Sequence, residues 1–365
     1  MSKTSLKILL LTKYNKRGAS SRLRTLQYIP YLESNAFFIT VSNFFDDKYL
    51  EEYQSNSKRS VIRIFKSYIK RFFVFLTIFR YDLIWIEKEI FPYFPALFER
   101  ILKLVGKAYI VDYDDAIFHN YDLSKKYLIK KFLDRKIYRV MKNAECVIVG
   151  NKYLAKYAES TRSLIRIIPT VVDSSIYIPK KKFLNKSPVI GWIGSRSTQK
   201  YLNNIYDPLK SICNLFDVRL LLIGATSEIA SKFSDLKVDL VQWNEAEEIS
   251  LIRNMDIGIM PLSDGPWEKG KCGYKLIQYM ACAVPVIASP VGINIEIITK
   301  NNCGLLADSN EEWKNAFKRL LNNPEKCGEL GNAGRVAVEQ IYSLKTQAPI
   351  IKKIFFDVAN TKYVK

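Results

Sequence analysis

The sequence is short of histidine, of paired cysteines and of long hydrophobic runs. One histidine, His119, occurs in 365 residues, and none of the six cysteines forms a Cys-x-x-Cys pair. This pattern argues against a zinc site and favours reduced thiols. The longest conspicuous apolar run, residues 72–79, is far below the roughly 20 residues that cross a bilayer. The first residues lack the apolar core of a secretory signal, so we expect a cytoplasmic protein without a membrane span.

Acidic residues are scarce relative to basic ones. The chain has 56 Lys and Arg against 36 Asp and Glu, a net charge of +20, of which +15 belongs to residues 1–180. Such an excess suits a nucleic acid, a membrane surface or a phosphate group. No helix-turn-helix, zinc-finger or aromatic ribonucleoprotein motif occurs, and the charge does not form a tail. We therefore expect no nucleic acid partner, and a basic nucleic-acid-binding protein is the least favoured alternative.

Two α/β domains are predicted from the length and from the order of apolar runs. A chain of 365 residues exceeds the usual size of one core. Short apolar runs alternate with helix-length segments, which is the βαβ order of a parallel sheet. The predicted strands are residues 8–12, 37–42, 83–86, 109–113, 146–150, 165–169, 189–193, 218–223, 238–241, 257–260, 284–288 and 304–307. This pattern predicts two Rossmann-like, doubly wound parallel-sheet domains that face each other across an interdomain cleft.

A polar, proline-bounded stretch at residues 176–188 marks the predicted linker. Residues 1–175 form the predicted first domain and residues 189–344 the second. Ligands of doubly wound sheets bind outside the carboxyl ends of the strands, so the loops after the strands are where chemistry is expected.

The loop after the first strand, residues 16–24, is a small-residue turn that enters a helix. Gly18 permits close approach of an anionic group, and backbone N–H groups at the helix start suit a phosphate. Ser20, Ser21 and Arg22 are the candidates for the acceptor or phosphate side. A plain turn with a serine cap explains the same residues equally well.

A similar turn follows the first strand of the second domain. Gly194 and Ser195 precede a predicted helix, and Arg196 and Lys200 would lie within one turn of each other near a diphosphate. Two solvated charges are the alternative interpretation.

The most informative segment is residues 266–289, PWEKGKCGYKLIQYMACAVPVIAS, a glycine-broken loop followed by a helix and a short strand. It resembles the nucleotide-sugar-dependent glycosyltransferases of the GT-B fold, specifically the retaining family 4. Segments 147–154, 168–173, 256–262 and 289–292 extend the resemblance over nearly the whole chain. It implies a hexosyltransferase-type enzyme with the acceptor on the first domain and the donor on the second. It also implies that a C-terminal helix, residues 345–365, returns to the first domain.

Two positions depart from the family pattern. The family has two glutamates eight positions apart, and this chain has Gly270 and Gln278 there. An amide at Gln278 still hydrogen-bonds a ribose hydroxyl, whereas the sugar contact needs a substitute such as Glu268. The other donor-side candidates in this segment are Lys271, Gly273, Tyr274 and Lys275. The missing glutamates leave open a non-catalytic nucleotide-sugar-binding protein on the same scaffold.

Carboxylates close the fourth strand of the first domain. Asp114 falls where many family members have a histidine beside the donor sugar, and Asp115 follows it. A carboxylate there would stabilise positive charge at the anomeric carbon, while the leaving phosphate takes the acceptor proton in a retaining reaction. Asp112 and Asp114 also match the Asp-x-Asp metal motif of the GT-A fold, which the twin-domain pattern disfavours. We expect no metal and no cofactor besides the nucleotide diphosphate sugar as co-substrate.

Residues 59–79 are amphipathic, with Val61, Phe65 and Phe72 on one face and Arg59 and Lys66 opposite. We expect the apolar face to pack on the sheet and the basic face to point outward. A second basic stretch covers residues 125–139. Basic faces attract anionic lipid by about 1 kcal/mol per side chain, although simple solvation accounts for them equally well. Peripheral association with the inner face of the plasma membrane would suit a lipid-linked acceptor in surface polysaccharide or lipopolysaccharide biosynthesis.

Overall fold

A computed structural model describes residues 5–56, 60–181 and 185–360 of the chain. The chain divides into two compact units: unit 1 comprises Met1–Thr170 and Gln347–Lys365, and unit 2 comprises Val171–Thr346. Part of the predicted linker, residues 182–184, lies outside the described residues, as do Arg59 and the end of the predicted C-terminal helix. Two other linker residues, Tyr177 and Lys180, are buried in unit 2.

Unit 1 contains a six-stranded parallel sheet in the order β2-β1-β3-β4-β5-β6. The strands are β1 (Leu6–Thr12), β2 (Phe37–Asn43), β3 (Leu83–Glu87), β4 (Tyr109–Tyr113), β5 (Cys146–Val149) and β6 (Leu164–Ile167). The helices are α1 (Ala19–Arg24), α2 (Ile29–Glu33), α3 (Asp47–Asn56), α4 (Val61–Leu76), α5 (Leu97–Leu104), α6 (His119–Asp122), α7 (Tyr127–Leu133), α8 (Lys136–Asn143) and α9 (Lys152–Glu159). Strands β3, β4 and β5 are buried along their whole length, as their unbroken apolar runs predict.

Unit 2 contains a second six-stranded parallel sheet, in the order β12-β11-β10-β7-β8-β9. The strands are β7 (Val189–Ile193), β8 (Arg219–Ile223), β9 (Val238–Val241), β10 (Ile257–Met260), β11 (Val286–Ala288) and β12 (Gly304–Leu306). The helices are α10 (Tyr206–Leu215), α11 (Ser227–Lys232), α12 (Glu248–Arg253), α13 (Pro266–Lys269), α14 (Tyr274–Ala281), α15 (Ile293–Asn301), α16 (Asn310–Leu321) and α17 (Pro324–Gln340). Both sheets are as predicted, so the α/β fold class is confirmed.

Each face of the unit 2 sheet has its own core. Ile193 packs in the layer that contains Leu276 of α14, whereas Trp192 belongs to the layer that contains Leu209 of α10 and Phe317 of α16. Successive side chains of a strand point to opposite faces, so β7 supplies both layers. The doubly wound arrangement therefore follows from an apolar residue at nearly every strand position.

The last helix, α18 (Leu344–Asn360), begins in unit 2 and packs on the sheet of unit 1. The ring of Phe355 lies 4.9 Å from that of Trp85, and the ring of Phe356 lies 4.7 Å from that of Phe37. Lys352 also donates a hydrogen bond to the Asn35 side chain at 2.8 Å. Helix α18 thus completes the core of unit 1.

The prediction that the apolar face of the amphipathic segment packs on the sheet is wrong, whereas Lys66 and Lys70 of its basic face are exposed as predicted. On α4 the apolar face points to solvent, with Phe65 65% and Phe73 62% exposed. A buried arginine occupies the opposite face, where Arg71 donates hydrogen bonds from Nη2 to the carbonyl oxygens of Thr12 at 2.8 Å and Ser42 at 3.0 Å. Those two carbonyls end neighbouring strands and gain a charged donor, which fixes the rotation of α4. Along the described stretches of chain, no helix is both long and apolar enough to cross a bilayer.

Candidate functional site

The carboxyl ends of β1 and β3 define the binding edge of unit 1. These strands are neighbours although β2 lies between them in sequence, and ligands of doubly wound sheets bind where the strand order reverses. Strand β3 ends at Glu87, and the next residue, Lys88, has a φ of 69°. A non-glycine residue at positive φ is strained, and such strain is common where a side chain is aimed for function.

Lys88 is the centre of a charged cluster at this edge. Its side chain is 7% exposed, and its ammonium lies 2.9 Å from Asp114 Oδ1 and 3.9 Å from Asp115 Oδ2. The ammonium donates a hydrogen bond to Ser20 Oγ at 2.8 Å, and that hydroxyl donates to Asp114 Oδ2 at 2.6 Å. Both oxygens of Asp114 are therefore held by side chains from two other loops. The structure brings together three predicted residues, Ser20, Asp114 and Asp115.

The electrostatics of this cluster keep Lys88 and Asp114 ionised. Burial raises the pKa of Asp114, but the Lys88 ammonium and the hydrogen bond from Ser20 outweigh burial and lower the pKa to about 2. Burial likewise would lower the pKa of Lys88, but the carboxylates of Asp114, Asp115 and Glu87 raise it above its ordinary value. A carboxylate with a pKa of about 2 is a poor proton acceptor at neutral pH and a good source of fixed negative charge.

The other predicted residues of this loop have roles within the fold. Gly18 precedes α1, and a Cβ there would overlap the Tyr14 side chain. Ser21 Oγ donates to Glu87 Oε2 at 2.6 Å and accepts from the Tyr14 N–H at 2.9 Å. Arg22 Nη1 donates to the Lys16 carbonyl at 3.1 Å. Glu87 and Lys88 were not predicted, although consecutive charges directly after a buried strand are the signal that could have identified them.

A buried ion pair engages the first aspartate of the Asp-x-Asp sequence. Arg24 contacts Asp112 Oδ1 through Nε at 2.9 Å and through Nη2 at 2.7 Å, and its Nη1 donates to the Ile168 carbonyl at 2.8 Å. Burial raises the pKa of Asp112 to about 6, even though Arg24 opposes the shift. Asp112 thus works as a structural partner of α1. No group of three or more His, Cys, Asp or Glu able to hold a metal occurs in the described ranges.

In unit 2, the binding edge forms at the carboxyl ends of β7 and β10, which are adjacent in the sheet. Directly after β7, a Cβ at Gly194 would overlap the Trp192 ring and lie 2.7 Å from Lys275 Nζ. That ammonium is 4.3 Å from the centre of the Trp192 ring and 3.3 Å from Thr198 Oγ1. Two predicted donor residues, Gly194 and Lys275, are therefore in contact.

The start of α14 supplies further donor-side candidates. Gly273 precedes the helix in the left-handed region, at φ 67°, and a Cβ there would press on Ile297. Lys271, Tyr274 and Lys275 surround this glycine in sequence and are half-buried. Burial, with a smaller effect of the Lys271 charge, lowers the pKa of Lys275 to about 7. Lys275 is consequently an amine that gains a full charge when an anion binds beside it.

Arg196, Lys200 and Ser195 are exposed. The helix predicted after the turn begins only at Gln199, as a 3₁₀ helix over Gln199–Ile205, so Lys200 lies on it and Arg196 precedes it. Ser195 belongs to a tight turn in which the Thr198 N–H donates to the Ser195 carbonyl at 2.9 Å. The two cations that follow β7 are thus both exposed to solvent.

Gln278 belongs to a buried polar cluster that the sequence did not predict. Its Nε2 donates to Glu248 Oε1 at 2.7 Å, and the Tyr177 hydroxyl donates to the same oxygen at 2.6 Å. Trp243 Nε1 donates to Glu248 Oε2 at 2.6 Å. A carboxylate of α12 thus lies beside the position where the family has its second glutamate. The distance of Glu248 from residues 266–289 in sequence hides this relation.

No carboxylate occupies the position of the first family glutamate. Gly270 caps the end of α13. The backbone of the preceding residue, Lys269, packs closely on Gly292: a Cβ on Gly292 would lie 2.8 Å from the Lys269 carbonyl oxygen. Glu268 turns away to accept a hydrogen bond from the Tyr201 hydroxyl.

The loops after β7 and β8 contact each other at two glycines, Gly194 and Gly224, and this contact predicts how substitution affects stability. Gly224 has a φ of 75°, and a Cβ there would overlap the Gly194 carbonyl oxygen, whereas Gly106, at φ 64°, has nothing within 4 Å. We expect Gly106→Ala to lower the free energy of unfolding by about 1 kcal/mol, from backbone strain alone. Gly224→Ala should cost about 2 to 4 kcal/mol, because overpacking adds to strain. Denaturant unfolding of both variants measures the difference, and equal losses would contradict the close packing.

Comparisons with known proteins find a family match in unit 2. Residues 187–323, within unit 2, match the family model "Glycosyl transferases group 1". A probable sucrose-phosphate synthase of Thermosipho melanesiensis is 26% identical over 195 residues, which cover 49% of this chain and 44% of that protein. The chain thus spans less than half the length of the curated relative it matches.

Solved structures match over both units. Sucrose-phosphate synthase from Thermosynechococcus elongatus has a TM-score of 0.72 at 16% identity, covering 97% of this chain and 99% of that one. HepE of Anabaena, solved with UDP and glucose, has a TM-score of 0.69 at 16% identity, covering 96% and 99%. WaaG, a glycosyltransferase involved in lipopolysaccharide biosynthesis, has a TM-score of 0.68 at 14% identity, covering 95% and 99%.

These matches define the class. The chain has the fold of the GT-B glycosyltransferases, as the sequence predicts. More particularly, residues 187–323 match the family model of the group 1 glycosyl transferases, so the predicted resemblance is confirmed.

Proposed function

We propose that this protein is a glycosyltransferase that moves a sugar from a nucleoside diphosphate sugar to a glycan or lipid-linked glycan, with retention of configuration. The observation that carries the proposal is the contact of Lys275 with Gly194 and Trp192 at the carboxyl end of β7, inside the group 1 domain. The glycine leaves room for the Trp192 ring and the Lys275 amine beside the turn after β7, and the amine provides the charge that a diphosphate requires.

The donor side is assigned to unit 2. Lys275 and Lys271 supply positive charge next to the start of α14, where backbone N–H groups favour an anion. Arg196 and Lys200 are exposed on the preceding loop and are assigned to the same diphosphate. Gln278 uses its Nε2 on Glu248, so a ribose hydroxyl would bind its carbonyl oxygen.

The acceptor side is assigned to the Lys88 cluster of unit 1. Asp114, with a pKa of about 2, is ionised at every working pH. Its role is therefore electrostatic. The carboxylate stabilises the positive charge that develops at the anomeric carbon, while the leaving phosphate accepts the proton of the acceptor hydroxyl. Lys88 and Ser20 position this carboxylate.

Surface polysaccharide synthesis is the setting we propose, at the inner face of the plasma membrane. Support comes from the similarity to WaaG, described as acting in lipopolysaccharide biosynthesis, and from the basic character of residues 1–180. The helix pair α7 and α8 exposes Lys125, Lys126, Lys130 and Lys131 around its start.

A nucleotide-sugar-binding protein without catalysis is the second candidate. It is favoured by one observation, the absence of a carboxylate at Gly270, where Glu268 bonds Tyr201 instead. The two functions share the donor site and differ in sugar release.

A panel of nucleoside diphosphates and their sugars tests the proposal. At 100 times its dissociation constant, the matching nucleotide should stabilise unit 2 by about 2.7 kcal/mol and raise its melting temperature by about 5 to 10 °C. The corresponding nucleotide sugar should release nucleotide slowly with water and faster with a lipid-linked glycan acceptor. Tight nucleotide-sugar binding without nucleotide release from any donor would favour the non-catalytic binding protein. Binding to RNA in a gel shift, with no binding of any nucleotide, would refute both functions.

A further inference from the structure

Helix α4 exposes an unbroken apolar face. Its members are Val61, Ile62, Phe65, Ile69, Phe72, Phe73 and Leu76, which are 42–77% exposed. At 100° per residue these positions fall within one third of the helix circumference, so they form a continuous stripe. Monomeric soluble proteins rarely leave a stripe of this size facing water.

The stripe cannot be buried by rotating the helix. Arg71 on the opposite face is buried, and its guanidinium holds the ends of β1 and β2. On the same inward side, Phe75 packs against Phe98 with ring centres 4.9 Å apart, and Tyr68 stacks on Phe91 at 5.8 Å. The polar and aromatic anchors of α4 therefore fix its apolar stripe outward.

The apolar surface continues onto the loop that follows β3. Phe72 and Phe94 both contact the Phe98 ring, at 6.3 Å and 5.9 Å between ring centres. Phe94 is 40% exposed and Leu97 is 49% exposed. We refer to the α4 stripe with Phe94 and Leu97 as the apolar platform of unit 1.

The charges on α4 itself are all basic, and one of them, Arg63, pairs with Glu52 at 2.9 Å and with Asp46 at 3.4 Å. Residues 61–80 contain no Asp or Glu. Lys66 and Lys70 are exposed along one border of the stripe, and Arg80 and Arg100 are exposed beyond its end. A protein partner for this platform would need an apolar surface bordered by acidic side chains. An anionic bilayer offers the same combination, an apolar interior below negatively charged headgroups, over its whole surface.

We propose that the apolar platform inserts into the interface of an anionic lipid bilayer, with Lys66 and Lys70 at the headgroups. An amphipathic helix with aromatic and aliphatic side chains on one face and lysines at its border binds in this way. The sequence suggested contact through the basic face alone, with the apolar face packed on the sheet. This attachment does not depend on sugar transfer, and through Arg71 it ties the bilayer surface to the strand ends beside the Lys88 cluster.

Flotation of the full chain with vesicles tests the proposal. The wild-type protein should float with vesicles of phosphatidylcholine mixed with phosphatidylglycerol, and more weakly with phosphatidylcholine alone. Phe65→Ser with Phe72→Ser should lower the partition coefficient about a hundredfold, roughly tenfold for each ring withdrawn from lipid. Lys66→Gln with Lys70→Gln should lower it about fivefold per lysine on the mixed vesicles only.

The control variant removes equally exposed apolar side chains from unit 2. Leu215 is 60% exposed and Ile295 is 43% exposed, so Leu215→Ser with Ile295→Ser should float like the wild type. All variants should stay folded, because the replaced side chains are exposed; the variant without Phe72 should melt slightly lower, because it loses the ring contact with Phe98. The proposal would be overturned if the wild type floated with neither kind of vesicle. It would also be overturned if the variant without Phe65 and Phe72 floated as well as the wild type. A lipid-free dimer that this variant dissociates would assign the platform to a second copy instead.

Discussion

Replacing Lys275 by methionine is expected to weaken nucleoside diphosphate binding about 10- to 100-fold at pH 6. The methionine side chain keeps the packing on Trp192, where the amine lies 4.3 Å from the ring, so the change removes charge with little loss of shape. Hydrogen bonds to a charged group contribute about 1.5 to 3 kcal/mol, which sets the size of the loss. Titration calorimetry or a thermal shift series with the matching nucleotide measures it.

The same variant should lose a pH dependence that the wild type shows. Burial lowers the pKa of Lys275 to about 7, so its ammonium is complete below that pH and is lost as the pH rises. Wild-type affinity should therefore fall above pH 7, by up to about tenfold per pH unit until the pKa in the complex is passed. The methionine variant should show no such slope.

The free energy of unfolding of the ligand-free wild type should rise with pH over the range in which its nucleotide affinity falls. The unfolded chain binds the Lys275 proton up to its ordinary pKa of 10.5, whereas the folded chain releases it near 7. Between these values the unfolded state holds more protons, so the wild type gains stability with rising pH relative to Lys275→Met. Lys237→Met is the matched control, because Lys237 is an exposed cation paired with Asp217 just before β9. Equal pH slopes in all three proteins would remove Lys275 from the donor site.

The fold was predictable because buried parallel strands leave an unmistakable local pattern. Strands such as β5 and β10 are short apolar runs bounded by turn residues, and each is buried on both faces. The helical period of residues 61–76 was equally clear. Periodicity identifies two faces without saying which one is buried, and here Arg71 decided the matter by bonding to the ends of β1 and β2.

The candidate site was predicted in part, for a physical reason. Asp114 directly follows β4 and Ser20 lies at the start of the helix after β1, so their position at one sheet edge can be inferred from the order of elements. Glu248 could not be found this way, because its contact with Gln278 depends on how α12 packs on the sheet. Lys88 and Glu87 left only a weak sequence signal, two consecutive charges after an apolar run, and the burial of Lys88 and its φ of 69° are what distinguish it.

Asp114→Asn should lower sugar transfer about 100- to 1,000-fold while leaving nucleotide affinity within twofold. The carboxylate of Asp114 is the fixed negative charge of the acceptor side, and removing one preorganised electrostatic contact costs about this much. Asp115→Asn is the matched control, since Asp115 is 30% exposed and lies 3.9 Å from the Lys88 ammonium, and its effect should be below about tenfold. Comparable losses in both variants would argue against a special role for Asp114.

A double variant separates catalysis from charge balance. In Asp114→Asn the Lys88 ammonium loses the nearer of its two ion-paired carboxylates, 2.9 Å away, and a buried charge without that partner would disable the site by distortion alone. Adding Lys88→Met removes that charge. If Asp114 only neutralises Lys88, the double variant regains activity; if the carboxylate stabilises the transition state, it stays inactive with a restored melting temperature, which is the result we expect.

The single Lys88→Met variant should make sugar transfer dependent on pH. In the wild type the low pKa of Asp114, about 2, means that the contribution of the pair to stability is complete above the ordinary value of 3.8 and disappears only as the pH falls toward 2. Without Lys88, burial dominates and raises the pKa of Asp114, so transfer by Lys88→Met should decline as the pH falls through that raised value. Wild-type transfer should stay level over the same range, because its Asp114 remains ionised there.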